Sequence, residues 1–257
     1  MAFIRCGNHI VECQGVIFDK DGTLIDSLKI WPELIQLRVR ILQRKLGFGP
    51  EVVALTQRVM GLQSDGMINR KSVIVIGSRE QTASAVSAVL SLEQDLAWDK
   101  ALETTLAAFA EADVELGLAT QAVLVPGAKE VLRELSDAGI KIGIATNDSK
   151  QRTLALLEAA GLSPWISAYA CRDEVQAGKP APDLLKLACE RLELGPQECF
   201  LVGDSVMDMH LAERAGGVKW KVGVLTGASR AQDFRGHADV VLASVREMQI
   251  HPMACKA

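Results

Sequence analysis

A chain of 257 residues that is 49% apolar can bury a sizeable core, as one large domain or as two smaller ones. Its net charge of −4 supplies no electrostatic reason to expect a polyanionic partner, so nucleic acid is set aside. No stretch approaches the roughly 18 consecutive apolar residues of a membrane-spanning helix. The first ten residues also lack the apolar segment and cleavage site of a signal peptide, so the expectation is a soluble, cytoplasmic protein without a membrane partner.

In chain order, the first signal is a short apolar run at residues 14–18 that stops at an acidic, glycine-containing turn. This is the pattern of a buried strand with a functional loop at its carboxyl end. Residues 26–124 then read as helical, with Ile30, Leu34, Leu37, Ile41 and Leu42, then Val86 and Leu90, then Leu102, Leu106 and Phe109 at helical spacings. Residues 73–76 are the one strand candidate in that segment, and Gly77 leaves the reading ambiguous.

After Pro126-Gly127 the pattern alternates. Helices are expected at 128–138, closed by Gly139, at 151–160, closed by Gly161, at 183–192, and at 209–215, stopped by Gly216-Gly217. Apolar runs at 140–145, 166–170, 200–202, 222–225 and 240–242 read as strands. Strands spaced by helices imply parallel pairing with right-handed crossovers, hence a doubly wound α/β domain. The first strand belongs with this half, so the helical segment is an insertion. The expected domains are an α/β catalytic core of residues 1–25 and 124–257 and a helical cap of residues 26–123.

Four strand ends carry chemistry. Asp19 and Asp21 flank Lys20 on a turn relaxed by Gly22, and paired carboxylates there are costly unless a cation or a proton compensates them. Thr146-Asn147-Asp148 offers a hydroxyl, an amide and backbone donors suited to phosphate oxygens. Gly178-Lys179-Pro180 supplies a fixed cation, and Gly203-Asp204-Ser205 with Asp208 supplies a second acidic pair. In an open parallel sheet, ligands bind outside the carboxyl ends of the strands, so these loops are expected to converge.

With those motifs in place, the chain resembles a haloacid dehalogenase superfamily phosphatase of the phosphoglycolate phosphatase type, with a helical C1-type cap inserted after the first strand. Asp19-x-Asp21-Gly22-Thr23 matches that family's first motif, Thr146 its second, Lys179 in Gly-Lys-Pro-x-Pro-Asp its third and Gly203-Asp204-Ser205-x-x-Asp208 its fourth. The resemblance implies a phosphomonoesterase acting on a small phosphorylated metabolite. In it Asp19 is the nucleophile that becomes an aspartyl-phosphate, and Asp21 is the general acid and then base. It further implies Mg²⁺ held by Asp19, Asp204 and the backbone carbonyl of Asp21, with Thr146, Asn147 and Lys179 on the transferring phosphoryl group. A cap of this kind is expected to act as a mobile lid that sets substrate size. Across the cap itself the resemblance is architectural only.

Some residues keep two readings. Asp208 is either a helix N-terminal acid favoured by the dipole or a group that orients Lys179 or a metal-bound water. Ser205 reads as a cap. Lys20 is left out, because strand-like alternation turns it away from its acidic neighbours. His9, His210, His237 and His251 read as structural or solvated. Cys6, Cys13, Cys171, Cys189, Cys199 and Cys255 lack zinc spacing and read as small core residues of a reducing cytosol. A phosphomutase would share both aspartates. A receiver-type phosphoacceptor would share the Thr, the Lys and an acidic cluster, but it would take its acids from two strands and would not need the insertion. Whether the chain is a monomer or a homodimer is not legible.

Overall fold

The computed structural model describes residues 2–252. The chain forms two compact units, Met1–Asp26 with Ala122–Ala257, and Ser27–Gln121. Asp26 belongs to the first unit because its amide donates to the Val123 carbonyl at 2.8 Å, and Ile25 bridges Leu124. The two connections to the insertion thus run side by side, and the boundary falls slightly inside the expected one.

The first unit begins with strands β1 (Ala2–Cys6), β2 (His9–Cys13) and β3 (Gly15–Phe18). The insertion follows: α1 (Ser27–Leu46), α2 (Pro50–Met60), α3 (Val73–Ile76), α4 (Arg79–Glu93), α5 (Trp98–Leu116) and α6 (Leu118–Gln121). Then come α7 (Ala128–Asp137), β4 (Lys141–Thr146), α8 (Lys150–Ala159), β5 (Ala168–Cys171), α9 (Asp183–Leu192), β6 (Cys199–Gly203), α10 (Val206–Arg214), β7 (Trp220–Val224), β8 (Val240–Leu242) and β9 (Met248–His251).

Six of the strands form one parallel sheet in the order β5-β4-β3-β6-β7-β8, with Gly15–Phe18 in register with residues 141–144 on one side and 199–202 on the other. Period-two alternation along each strand divides the apolar residues between two faces. Val16, Phe18, Ile142, Ile144, Phe200 and Val202 pack on one side with Leu132 and Leu157 of α7 and α8. Ile17, Ala145 and Leu201 pack on the other with Leu185 and Leu192 of α9 and Leu211 of α10. Burial on both faces explains why these strands read as unbroken apolar runs.

Two findings depart from the sequence reading. Residues 73–76 are a single helical turn, because the amides of Val75 and Ile76 reach the Ser72 carbonyl and Gly77 N closes on Val73 O at 2.9 Å. The N-terminal residues, which carried no strand expectation, form an antiparallel sheet β2-β1-β9 whose inward residues Ala2, Ile4, Cys6 and Met248 join the first apolar layer. Cys6, Cys13, Cys171, Cys189 and Cys199 are buried, and burial raises the Cys6 and Cys13 thiols to about 12, which leaves them inert; Cys255 lies outside the described residues. Among the described residues, no helix is long and apolar enough to cross a membrane.

The insertion has its own core, in which Leu34, Ile35, Val39 and Leu42 of α1 meet Val86 and Leu90 of α4 and Phe109 of α5. Helical spacing puts each set on one stripe, as i, i+3 and i+4 periodicity requires. A partly buried charged cluster packs against it. The buried Arg38 guanidinium lies 4.0 Å from the Phe109 ring centre, and Arg79 Nη1 is 2.5 Å from Asp113 Oδ2.

Candidate active site

Parallel strands place all their carboxyl ends on one edge, and β3 lies between β4 and β6, where the strand order reverses. The residues that follow these three strands are therefore neighbours at the switch point.

Asp19 extends β3 by one ladder bond, its amide donating to Val202 O at 2.8 Å. The chain then folds back on itself. The amides of Leu24 and Ile25 reach the Lys20 carbonyl at 2.9 and 3.0 Å, and Gly22 takes a left-handed φ of 79°. Glycine is required there twice over, for the φ and because a Cβ would overlap the Asp204 carboxylate. Asp204 follows β6, and its Oδ2 accepts the Ala228 amide at 2.5 Å. On its other side Gly227 is equally tight, so the carboxylate lies in a cradle of backbone.

Lys179, which precedes a cis peptide bond to Pro180, brings two acids together. Its Nζ is 2.5 Å from Asp19 Oδ1 and 2.7 Å from Asp208 Oδ1, with all three side chains largely buried. Asp208, in the first turn of α10, is held through Oδ2 by the Ser205 amide at 3.1 Å and the Ser205 hydroxyl at 2.6 Å. Asp208 thus contacts Ser205 through one carboxylate oxygen and Lys179 through the other. The Lys179 amide donates to Asn147 Oδ1 at 2.8 Å, so the Asn147 side chain joins the loop after β4 to the lysine loop. Thr146, the last residue of β4, is buried, and its hydroxyl oxygen accepts the Asp148 amide at 3.2 Å.

The electrostatics follow from this crowding. Burial drives the Asp19 carboxyl up to about 7; Lys179 opposes the rise, and Asp208 and Asp21 add to it. Asp204 is pushed well above the usual carboxylate range by burial and then by Asp19 and Asp208. Burial depresses Lys179, but Asp19 and Asp208 outweigh it and hold the ammonium above its ordinary value. Such carboxylates resist ionising together unless a further cation arrives. Hard oxygen donors with excess negative charge suit magnesium, and the backbone cradle that fixes Asp204 is consistent with a metal ligand, so these residues fit the implied ion.

Lys20 is a correction. It is 1% exposed, and its Nζ lies 2.6 Å from Asp21 Oδ2 and 3.0 Å from Asp148 Oδ2. Strand alternation fails because the backbone leaves extended geometry at this residue and turns back on its carbonyl. Burial opposes the charge on Lys20, but Asp21 and Asp148 outweigh it and raise its pKa. Asp148 is lowered despite its burial, by Lys20 and then Arg152. Asp21 is thus braced from below, with its own side chain 32% exposed.

A fifth loop, after β7, also went unread. Thr226 Oγ1 donates to Gly22 O at 2.5 Å, Ala228 N holds Asp204, and Ser229 Oγ accepts the Val206 amide at 3.2 Å. Its signal was present as Thr-Gly-Ala-Ser directly after an apolar run.

The chain matches the family described as haloacid dehalogenase-like hydrolase over residues 13–216. It is 26% identical over 213 residues to phosphoglycolate phosphatase of Escherichia coli K12, covering 81% of each chain. Its fold is similar to that of a predicted phosphoglycolate phosphatase from Haemophilus somnus 129PT, with a TM-score of 0.67, 22% identity and coverage of 92% of this chain and 96% of that one. It is also similar to β-phosphoglucomutase from Clostridium difficile, with a TM-score of 0.61, 18% identity and coverage of 91% and 92%.

Proposed function

The chain belongs to the haloacid dehalogenase-like hydrolases, and from that premise we propose that it is a magnesium-dependent phosphatase of small phosphorylated metabolites, working through an aspartyl-phosphate on Asp19. The observation that carries the reading is the Lys179 ammonium between Asp19 and Asp208, beside the cradled Asp204, at the sheet's switch point.

In the first step an Asp19 carboxylate oxygen attacks phosphorus, the ester P–O bond breaks and the leaving alkoxide takes a proton from Asp21. In the second, water attacks the same phosphorus, Asp21 takes its proton, and the acyl-phosphate bond breaks to return the Asp19 carboxylate and release phosphate. Lys179 keeps Asp19 in a fixed rotamer through Oδ1 and balances charge on the phosphoryl oxygens. Lys20 fixes the orientation of Asp21. Thr146 and the backbone of Asn147 hold the transferring group. Magnesium, held by Asp19, Asp204 and the Asp21 carbonyl, supplies charge neutralisation and Lewis acidity. The helical insertion is proposed to select the leaving group, because its two connections run side by side directly after the nucleophile turn.

The E. coli relative favours hydrolysis of phosphoglycolate over phosphoryl transfer between sugar positions, and the likeness to the phosphoglucomutase is one of fold. The test is release of inorganic phosphate from a panel of small phosphomonoesters, phosphoglycolate and β-glucose 1-phosphate included, with Mg²⁺ and with excess chelator. Mg²⁺-dependent multiple turnover is expected. Formation of glucose 6-phosphate without net phosphate release would replace the hydrolase reading with a mutase, and undiminished turnover after exhaustive chelation would remove the metal.

A further inference from the structure

Away from the strand ends, α10 carries His210 and Glu213 three residues apart, hence on one helix face. The turn that leads to β8 brings His237 against them. Its amide donates to Phe234 O at 3.0 Å, and Phe234 is itself buried against Gly223, so the turn is anchored. The two imidazole rings meet edge to face with centres 4.9 Å apart. One ligand atom from each of the three side chains lies within 4.8 Å of the other two. His237 Nδ1 is 3.5 Å from Glu213 Oε1, and although that nitrogen is buried it makes no hydrogen bond.

We propose that His210, Glu213 and His237 form a second metal site, selective for a zinc-type divalent ion, that clips α10 to the turn before β8. Two imidazoles and one carboxylate are a donor set that zinc takes with a fourth position left to water. Zinc–ligand bonds of about 2.0–2.2 Å place tetrahedral ligand atoms roughly 3.3 Å apart. The His237–Glu213 separation is close to this already, and the partly exposed side chains need only small rotations to close the remainder. His237 Nδ1 has only the long 3.5 Å approach to Glu213 Oε1, which a metal ion bound by both would replace. Lys221, whose Nζ lies 3.2 Å from Glu213 Oε1, competes for the carboxylate and must swing towards solvent. The donor type separates this site from the oxygen-only cluster around Asp19, since imidazole suits zinc, copper and nickel while carboxylate and carbonyl suit magnesium. None of the three residues was a sequence candidate, because His237 reaches α10 only through the fold.

The experiment is a calorimetric titration of Zn²⁺ into the full chain held in excess Mg²⁺, so that the carboxylate cluster is occupied. Wild type is expected to bind one Zn²⁺ that His210→Gln and His237→Gln each weaken at least tenfold, with both variants keeping wild-type circular dichroism. Equal Zn²⁺ binding by wild type and both variants, or none by wild type, overturns the site. Should a variant fail to fold, X-ray absorption on the Zn²⁺-loaded wild type decides alone: two imidazoles and oxygen in the shell support the clip, while oxygen alone or any sulfur refutes it.

Discussion

The two units handle buried charge in opposite ways. In the helical unit the single carboxylate of Asp113 is flanked by two guanidiniums, Arg38 and Arg79, around Phe109, and the cluster ties α1, α4 and α5 together. In the α/β unit Asp19, Asp204 and Asp208 share Lys179 and remain short of positive charge. A carboxylate matched by cations is a structural device, whereas carboxylates short of cations at a strand-end crevice mark a candidate functional site.

Asp19→Asn should break the catalytic side of this contrast most severely. The amide keeps the shape but cannot attack phosphorus, and a loss on the order of ten-thousandfold in kcat is expected, about 5.4 kcal/mol of barrier. Retained activity within tenfold of wild type would end the covalent mechanism. Phe109→Ala addresses the other side. It removes a fully buried ring on which the Arg38 guanidinium stacks, and denaturant unfolding should show a loss of about 3–5 kcal/mol. Mg²⁺ affinity of the folded variant should stay within about threefold, because the proposed ligands all lie in the other unit; a large loss would couple what the comparison separates.

The two lysines sharpen the contrast within the site. Lys179→Ala removes the lysine that joins Asp19 to Asp208 and should cost about a hundredfold in kcat, roughly 2.7 kcal/mol. Lys20→Met releases Asp21 and Asp148 without touching the nucleophile and should cost about tenfold, with KM little changed. Equal losses would show that bracing Asp21 matters as much as charge at the nucleophile.

The smallest effect concerns a compensated cluster in the α/β unit. Arg191 grips Glu174 with both Nη atoms at 3.0 Å, and Lys150 adds a third contact at 2.7 Å. Burial pushes Glu174 up, but these cations outweigh it and hold the carboxyl at about 2. A depressed carboxylate stabilises the fold above its unfolded value near 4.5, and that contribution disappears as pH falls from there through about 2. Glu174→Gln should therefore lower stability at pH 7 by no more than about 1 kcal/mol, and the difference from wild type should vanish at low pH. A difference that grows on acidification would reverse the assignment.

The sheet strands were legible because burial on both faces leaves unbroken apolar runs, and the acidic turns stood out at their ends. Lys20 was misread because alternation was carried one residue past the last extended position. The β2-β1-β9 sheet was missed although β1 and β2 pair locally as a hairpin across Gly7-Asn8, with the alternation a half-buried strand shows; only β9 comes from the far end of the chain. His237 lacked any local signal, and the cations that hold Glu174 come from residues 17 and 24 positions away, although Glu174 also accepts the Cys171 amide nearby.

The place of β3 also bears on how the protein assembles as it is synthesised. It is the first strand of the parallel sheet to leave the ribosome and one of its two central strands in the finished fold, flanked by β4 and β6. Both neighbours are translated after the whole insertion, so an apolar strand waits with neither edge paired while Ser27–Gln121, continuous in sequence and with its own core, emerges. The nascent chain is therefore expected to complete its helical unit first, and to depend in that interval on whatever shields Val16, Ile17 and Phe18 from other chains.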